Sequence, residues 1–243
     1  MELQRSDARF QTTRWTLVDA LDGVDEARRR AALESLSALY WPAVYAYLRR
    51  QGKGREDACE ITQAFFAEVV LSRALFKHAD QSRGRLRTLI LSALKNYLVD
   101  RHRRDVSRGS EITLSLDGLA LAEHEIAQAD GAAPEAVYDR QWALVLFREA
   151  IRRCEEHFSS TGRRRHWQLF EARVVRPAAG GCESPPLTQV APQLGFAGAA
   201  DAAAAVQVVK RRITALLREV AAETATTPAD QQAEYDALRS LLR

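Results

Sequence analysis

The sequence predicts an all-α protein of two small helical domains joined by a flexible acidic linker, and three observations carry this reading. Apolar residues recur at intervals of three and four along most of the 243 residues, the period of one helix face. No alternating run of Val, Ile and Thr persists for the length of a strand. Short breaks of Gly, Pro or Ser separate the helical segments, and one long stretch, residues 106–133, has no period.

In chain order, Thr12 or Thr13 caps a first short helix through Leu21, with Trp15 and Val18 sharing its apolar side. A second helix begins near Asp25 and turns Ala32, Leu33, Leu36 and Leu39 inward. A third starts at Pro42, a residue suited to a first turn, with Val44, Tyr45 and Leu48 as its stripe. The break at residues 51–54 stops it. Residues 55–70 form a fourth, with Ala58, Ile61, Phe65, Phe66 and Val69 inward.

A turn at residues 81–84 leads into residues 84–105, the stretch around which the chain is organised. Leu86, Leu89, Ile90, Ala93, Leu94, Tyr97 and Leu98 gather on one side of a helix about 30 Å long. The other side is expected to carry Arg87, Lys95, Asn96, Asp100, Arg103 and Arg104, with Arg83, Arg85 and Arg101 nearby. Cations concentrated on one element read as a nucleic-acid footprint, or equally as an ordinary solvated face.

The linker, residues 106–133, is punctuated by Gly109, Gly118 and Gly131 and is richer in acids than in bases. Helices follow over 134–158, with Tyr138, Trp142, Val145 and Leu146 inward, and over 163–175, anchored by Trp167, Leu169 and Phe170. After a Gly- and Pro-rich loop, a short helix at 187–194, a turn at 195–198 and a longer basic helix at 200–223 have the outline of a helix-turn-helix. A last amphipathic helix at 230–243, set off by Pro228, uses Tyr235, Leu238 and Leu241. The expected domains are therefore 10–105, the linker 106–133, 134–225 and an extension at 226–243.

Composition narrows the function. The net charge is only +3, from 35 basic and 32 acidic residues, so only local clustering of charge can point to nucleic acid. Cys59, Cys154 and Cys182 stand too far apart for a disulfide framework or a structural zinc site, which implies a reducing cytosol. Cys154 and His157 share one helical turn but have no second pair beside them, so no metal is expected. No apolar run is long enough to span a bilayer and the first residues are polar, so no membrane association and a cytoplasmic location are expected. Neither a nucleophile elbow nor paired carboxylates occur, so no enzyme, cofactor or small-molecule substrate is expected. The four Trp residues all fall on apolar stripes and read as core.

Three segments in register, LYWPAVYAYLRR, EDACEITQAFFAEV and GRLRTLILSALKNYLVDRHRR, resemble region 2 of sigma factors of the sigma-70 family. The opening FQTTRWTLV and the two-domain layout resemble the extracytoplasmic-function group. The resemblance covers residues 10–105 well and 134–225 moderately. It implies a protein that binds core RNA polymerase and promoter DNA and sets where transcription starts. By matching position, Glu56, Asp57, Glu60 and Gln63 would meet polymerase. Arg85, Arg87, Lys95, Asn96, Arg101, Arg103 and Arg104 would meet the minus-ten element, with Asn96 reading a base. The second domain resembles region 4, with Gln207, Lys210, Arg211 and Arg212 facing the minus-thirty-five element.

Two departures matter. Cys59 and Ala64 stand where relatives commonly carry acids, and phosphorylation of Thr62 by a Ser/Thr kinase would restore negative charge there. Ala202 to Ala205 stand where a recognition helix usually presents polar side chains, so promoter choice is expected to rest on the minus-ten contacts. An anti-sigma factor is a further partner the resemblance allows. The competing readings are a free-standing helix-turn-helix regulator of duplex operators and a helical adaptor that binds an acidic protein.

Overall fold

The computed structural model describes residues 25–70, 85–105, 131–178, 180, 183–225 and 227–242, without the side chains of Leu33, Arg104 and Asp105. The expected helix at 12–21, the turn at 81–84 and the linker up to residue 130 lie outside these. The fold is all-α: among the described residues the one extended pairing is a single bridge between Arg85 and Ala225. Two compact units form, one from Met1–Leu146 with Ala221–Arg243, the other from Phe147–Val220.

In the first unit, α1 (Glu26–Arg50) starts at Asp25, whose carboxylate accepts from the amides of Ala27 and Arg28 at 3.0 and 3.3 Å. The expected new start at Pro42 is corrected, because α1 runs straight through it. The reason lies in the stripe: Leu36, Leu39, Tyr40, Ala43, Val44 and Tyr47 keep the helical period across the proline and are all buried. Packing along that stripe outweighs the one backbone bond that Pro42 cannot donate. Gly52, at φ 87, closes the helix in a Schellman turn, its amide donating to Arg49 O and that of Lys53 to Leu48 O.

Helix α2 (Arg55–Phe65) continues into a π-helical turn, Phe66–Val70. Helix α3 (Leu86–Asp105) buries Leu86, Ile90, Leu94 and Tyr97. Aromatic rings join these elements: Trp41 stacks on Phe66 at 6.0 Å, and Phe65 meets Phe66 and Tyr97 edge-on at 5.5 and 5.7 Å.

Helix α4 (Pro134–Ser160) crosses the boundary between the units. Its first half buries Val137, Tyr138, Trp142 and Leu146 in the first unit, and its second half buries Ala150, Cys154 and Phe158 in the second. The second unit continues with α5 (Arg164–Phe170), extended by a π-helical turn, Glu171–Val175, and a last turn, Arg176–Ala178. Helix α6 (Leu187–Gln193) and helix α7 (Ala199–Ala222) follow. Gly195 at φ 70 forms the turn between them, with its amide donating to Pro192 O and that of Phe196 to Ala191 O.

The last helix, α8 (Pro228–Leu241), is capped by Thr227, which accepts from Asp230 N at 3.1 Å. It belongs to the first unit, where Glu234, Tyr235 and Leu238 are buried. The first unit therefore holds both the start of α4 and the C-terminal helix, a division different from 10–105, 134–225 and 226–243. Its cause is the fit of apolar residues from α4 and α8 into the first core.

Candidate nucleic-acid interface

Helix α3 has two faces, and the register of its apolar residues decides which side chains reach solvent. Thr88, Ser92, Lys95, Asn96, Val99, His102 and Arg103 are exposed and follow one another at helical spacing, so they form a continuous stripe opposite the core. Val99, at 52% exposure, stands out as a large apolar side chain in the middle of this polar and cationic surface. Asn96 is exposed, and among the described residues Arg103 makes a long pair with Asp100 at 3.8 Å, across exposed side chains.

Arg85, Arg87, Lys95 and Arg101, also expected at the minus-ten element, are engaged within the first unit. Arg87 does not lie on the outer face: it is 7% exposed, donates to Asp139 Oδ1 at 2.6 Å and Glu234 Oε1 at 3.0 Å, and lies 4.4 Å over the Trp142 ring. Its backbone carbonyl accepts from the Tyr138 hydroxyl at 3.1 Å. Burial works against the charge of Arg87, but Glu234 and Asp139 outweigh it and hold the guanidinium above its usual range. Burial pushes the Glu234 carboxyl up, and Arg87 and Arg85 pull it back only in part. Arg85 lies 3.5 Å from Glu234 and 3.8 Å from Asp230. The chain segments themselves meet here, since Leu86 N donates to Thr224 O.

Lys95 pairs with Glu135 at 2.8 Å, and this hydrogen bond raises the lysine pKa and lowers that of the carboxylate. Arg101 pairs with Glu60 at 2.6 Å, so a residue expected to meet DNA holds one expected to meet polymerase. Burial opposes the Arg101 charge, and Glu60 and Tyr97 more than compensate. A cleft of about 380 Å³ beside this pair is lined by Lys53, Asp57, Arg101 and His102 among others. Arg104 belongs to the last turn of α3, and its side chain is outside the description.

On α2, Glu56 and Asp57 are exposed, while Glu60 and Gln63 are half-buried. Cys59 is core at 2% exposure, so an acid there would not have enlarged the acidic surface. Thr62 is fully buried and its hydroxyl donates to Ala58 O at 2.6 Å, so a kinase reaches it only if α2 separates from its neighbours.

In the second unit, the four alanines divide by face. Ala202 and Ala205 pack into a cluster with Leu169, Val190, Ala191 and Phe196, where their small size lets α6 and α7 approach closely. Ala204 is exposed between Asp201 and Gln207, so the first turns of α7 offer solvent little beyond methyl groups and one acid. Gln207, Lys210 and Arg211 are exposed further along the same helix, whereas Arg212 is half-buried and bonds Glu219 at 3.2 Å. Cys154 is buried, with its thiol pushed up to about 11, and so is unreactive.

Sequence reasoning missed the carboxylates that hold the α3 cations: Glu135, Asp139, Asp230 and Glu234. A signal was present, since Asp139 keeps helical register with Trp142 and Leu146, and Glu234 with Leu238 and Leu241. No family model, curated protein or solved structure matches the chain. No helix among the described residues is long and apolar enough to cross a membrane.

Proposed function

We propose that the chain is a sigma factor of the sigma-70 type, in the extracytoplasmic-function group, which binds core RNA polymerase and selects promoters. The observation that carries this reading is the exposed stripe of α3. It combines an amide able to read a base edge, Asn96, with cations for phosphate, Lys95 and Arg103, and one exposed apolar side chain, Val99, against which an unstacked base can rest. In this reading the first unit engages the minus-ten element through α3 and polymerase through Glu56 and Asp57 on α2. The second unit engages upstream duplex through Gln207, Lys210 and Arg211. The methyl surface at the start of α7 favours the minus-ten contacts as the main source of promoter choice.

Run-off transcription with purified core polymerase tests the proposal. The wild-type chain is expected to confer promoter-dependent initiation, and Asn96→Ala is expected to weaken promoter discrimination by about 1–3 kcal/mol, the worth of a bidentate base contact. A harmless Asn96→Ala beside a Lys210→Ala that abolishes promoter choice would place specificity in the second unit. Tight binding to duplex operators without polymerase, and no initiation with it, would favour a free-standing regulator. The helix-turn-helix outline of α6 and α7 is what supports that second reading.

A further inference from the structure

We propose that the carboxylates of α4 and α8 are an internal stand-in for DNA phosphate, a latch that occupies the cations of α3 until nucleic acid displaces it. The inference rests on the promoter-binding reading of α3 and concerns how that same site is regulated.

Arg85, just before α3, and two cations in the N-terminal half of α3 are held by four carboxylates. Arg85 faces Asp230 and Glu234, Arg87 faces Asp139 and Glu234, and Lys95 faces Glu135. None of the four comes from α1 or α2, the helices that build the core beneath α3. Two stand on α4, within six residues of its start, and two on the first half of α8. Helix α4 is also the segment by which the chain leaves the first unit for the second, and α8 follows its return at Ala221.

The chemistry is that of a competitor. A carboxylate accepting a charge-assisted hydrogen bond from a guanidinium presents the oxygens and charge that a phosphodiester would. Stability alone does not require it: a buried ion pair replaced by apolar residues of similar volume is often neutral or better, so Arg87 and Glu234 could have been a Leu and Met pair. Charges make the contact exchangeable. A polyanion brought up against the exposed half of α3, at Asn96 and Arg103, meets Lys95 on the helix and then Arg85 just before its start. It can take over each pair in turn, whereas an apolar contact would have nothing to exchange.

The test uses the full chain and a fluorescent single-stranded oligodeoxynucleotide of mixed sequence, followed by anisotropy at fixed salt. Glu135→Gln with Glu234→Gln is expected to tighten binding at least ten-fold, and adding Arg85→Gln to that variant is expected to remove most of the gain. A folded double variant with unchanged affinity overturns the latch. Should the double variant not fold, amide exchange of α8 in the wild type decides: saturating oligonucleotide is expected to speed exchange across 230–241, and unchanged exchange overturns the proposal. Run-off transcription in parallel separates the two ideas. A wild-type chain that initiates, with no gain from the latch variant in any of these measurements, refutes the latch alone. A latch response in a chain that never initiates with core polymerase refutes the sigma reading and keeps the latch.

Discussion

Glu234→Gln removes one charge from the Arg87 cluster while leaving the volume of the side chain nearly unchanged. In the wild type Glu234 is fully buried, and Arg87 is 7% exposed. Breaking one side of a buried pair typically costs 3–5 kcal/mol, because the surviving charge stays out of water without its partner. Here the loss is moderated. Asp139 keeps its 2.6 Å bond to Arg87, and the Trp142 ring stays 4.4 Å below the guanidinium. The lower end, about 3 kcal/mol, is therefore expected. In a unit of about 170 residues this lowers Tm by about 6–12 °C. Thermal melts followed by circular dichroism measure it, with the second unit's helices as an internal reference. Arg87→Met combined with Glu234→Leu is expected to recover most of the loss, since Asp139 is 35% exposed and can turn to solvent. A Glu234→Gln melt that coincides with the wild type, or a double variant as unstable as the sum of its parts, would refute the account of a buried, mutually dependent pair.

Other outcomes follow from single sites. Hydrogen bonds from Arg152, and then from Arg153, hold the Glu149 carboxyl at about 2, below its usual value of 4.5, against the opposing effect of burial. A depressed carboxylate pKa adds stability that is present above pH 4.5 and lost as pH falls toward 2. Discounted for the exposure of Arg152, this is worth about 1–2 kcal/mol, and Glu149→Gln is expected to flatten the pH dependence of the second unit's melt over that range. Ala202→Leu forces a larger side chain into the α6–α7 contact and is expected to cost about 1–3 kcal/mol, while Ala204→Leu on the exposed face stays within about 0.5 kcal/mol. Arg103→Ala is expected to leave the melt unchanged, since its pair with Asp100 is long and exposed, and to lower the salt dependence of oligonucleotide binding by about one counterion.

Much of the all-α architecture was legible from apolar period, because each helix buries one stripe and the stripe is written in the sequence. The α3 residues Leu86, Ile90, Leu94 and Tyr97 are buried where the period places them. Breaks were less legible. Pro42 reads as a start when judged by local preference, yet the stripe from Leu36 to Tyr47 passes through it, and tertiary packing overrode the local signal. The candidate site was legible on its exposed side, at Asn96 and Arg103. It was not legible at Arg87, which a rule placing charge outward assigns to solvent. Arg87 nonetheless stands three, seven and ten residues before Ile90, Leu94 and Tyr97, in register with the core. Its partners Asp139 and Glu234 lie 52 and 147 residues away, and pairing over such separations is invisible to any local pattern. A charge in step with an apolar stripe is the trace such a pair leaves, and three of them in one chain suggest that they meet.

The separation of 147 residues between Arg87 and Glu234 also has a meaning in time. At synthesis rates of about 5–20 residues per second, the arginine emerges about 7–30 s before its buried carboxylate exists. During that interval α1, α2 and α3 can assemble on their own aromatic contacts, but the α3 cations have no α8 to face. The nascent chain thus passes through a form in which Arg85 and Arg87 still lack Asp230 and Glu234, and only the synthesis of α8 supplies these partners.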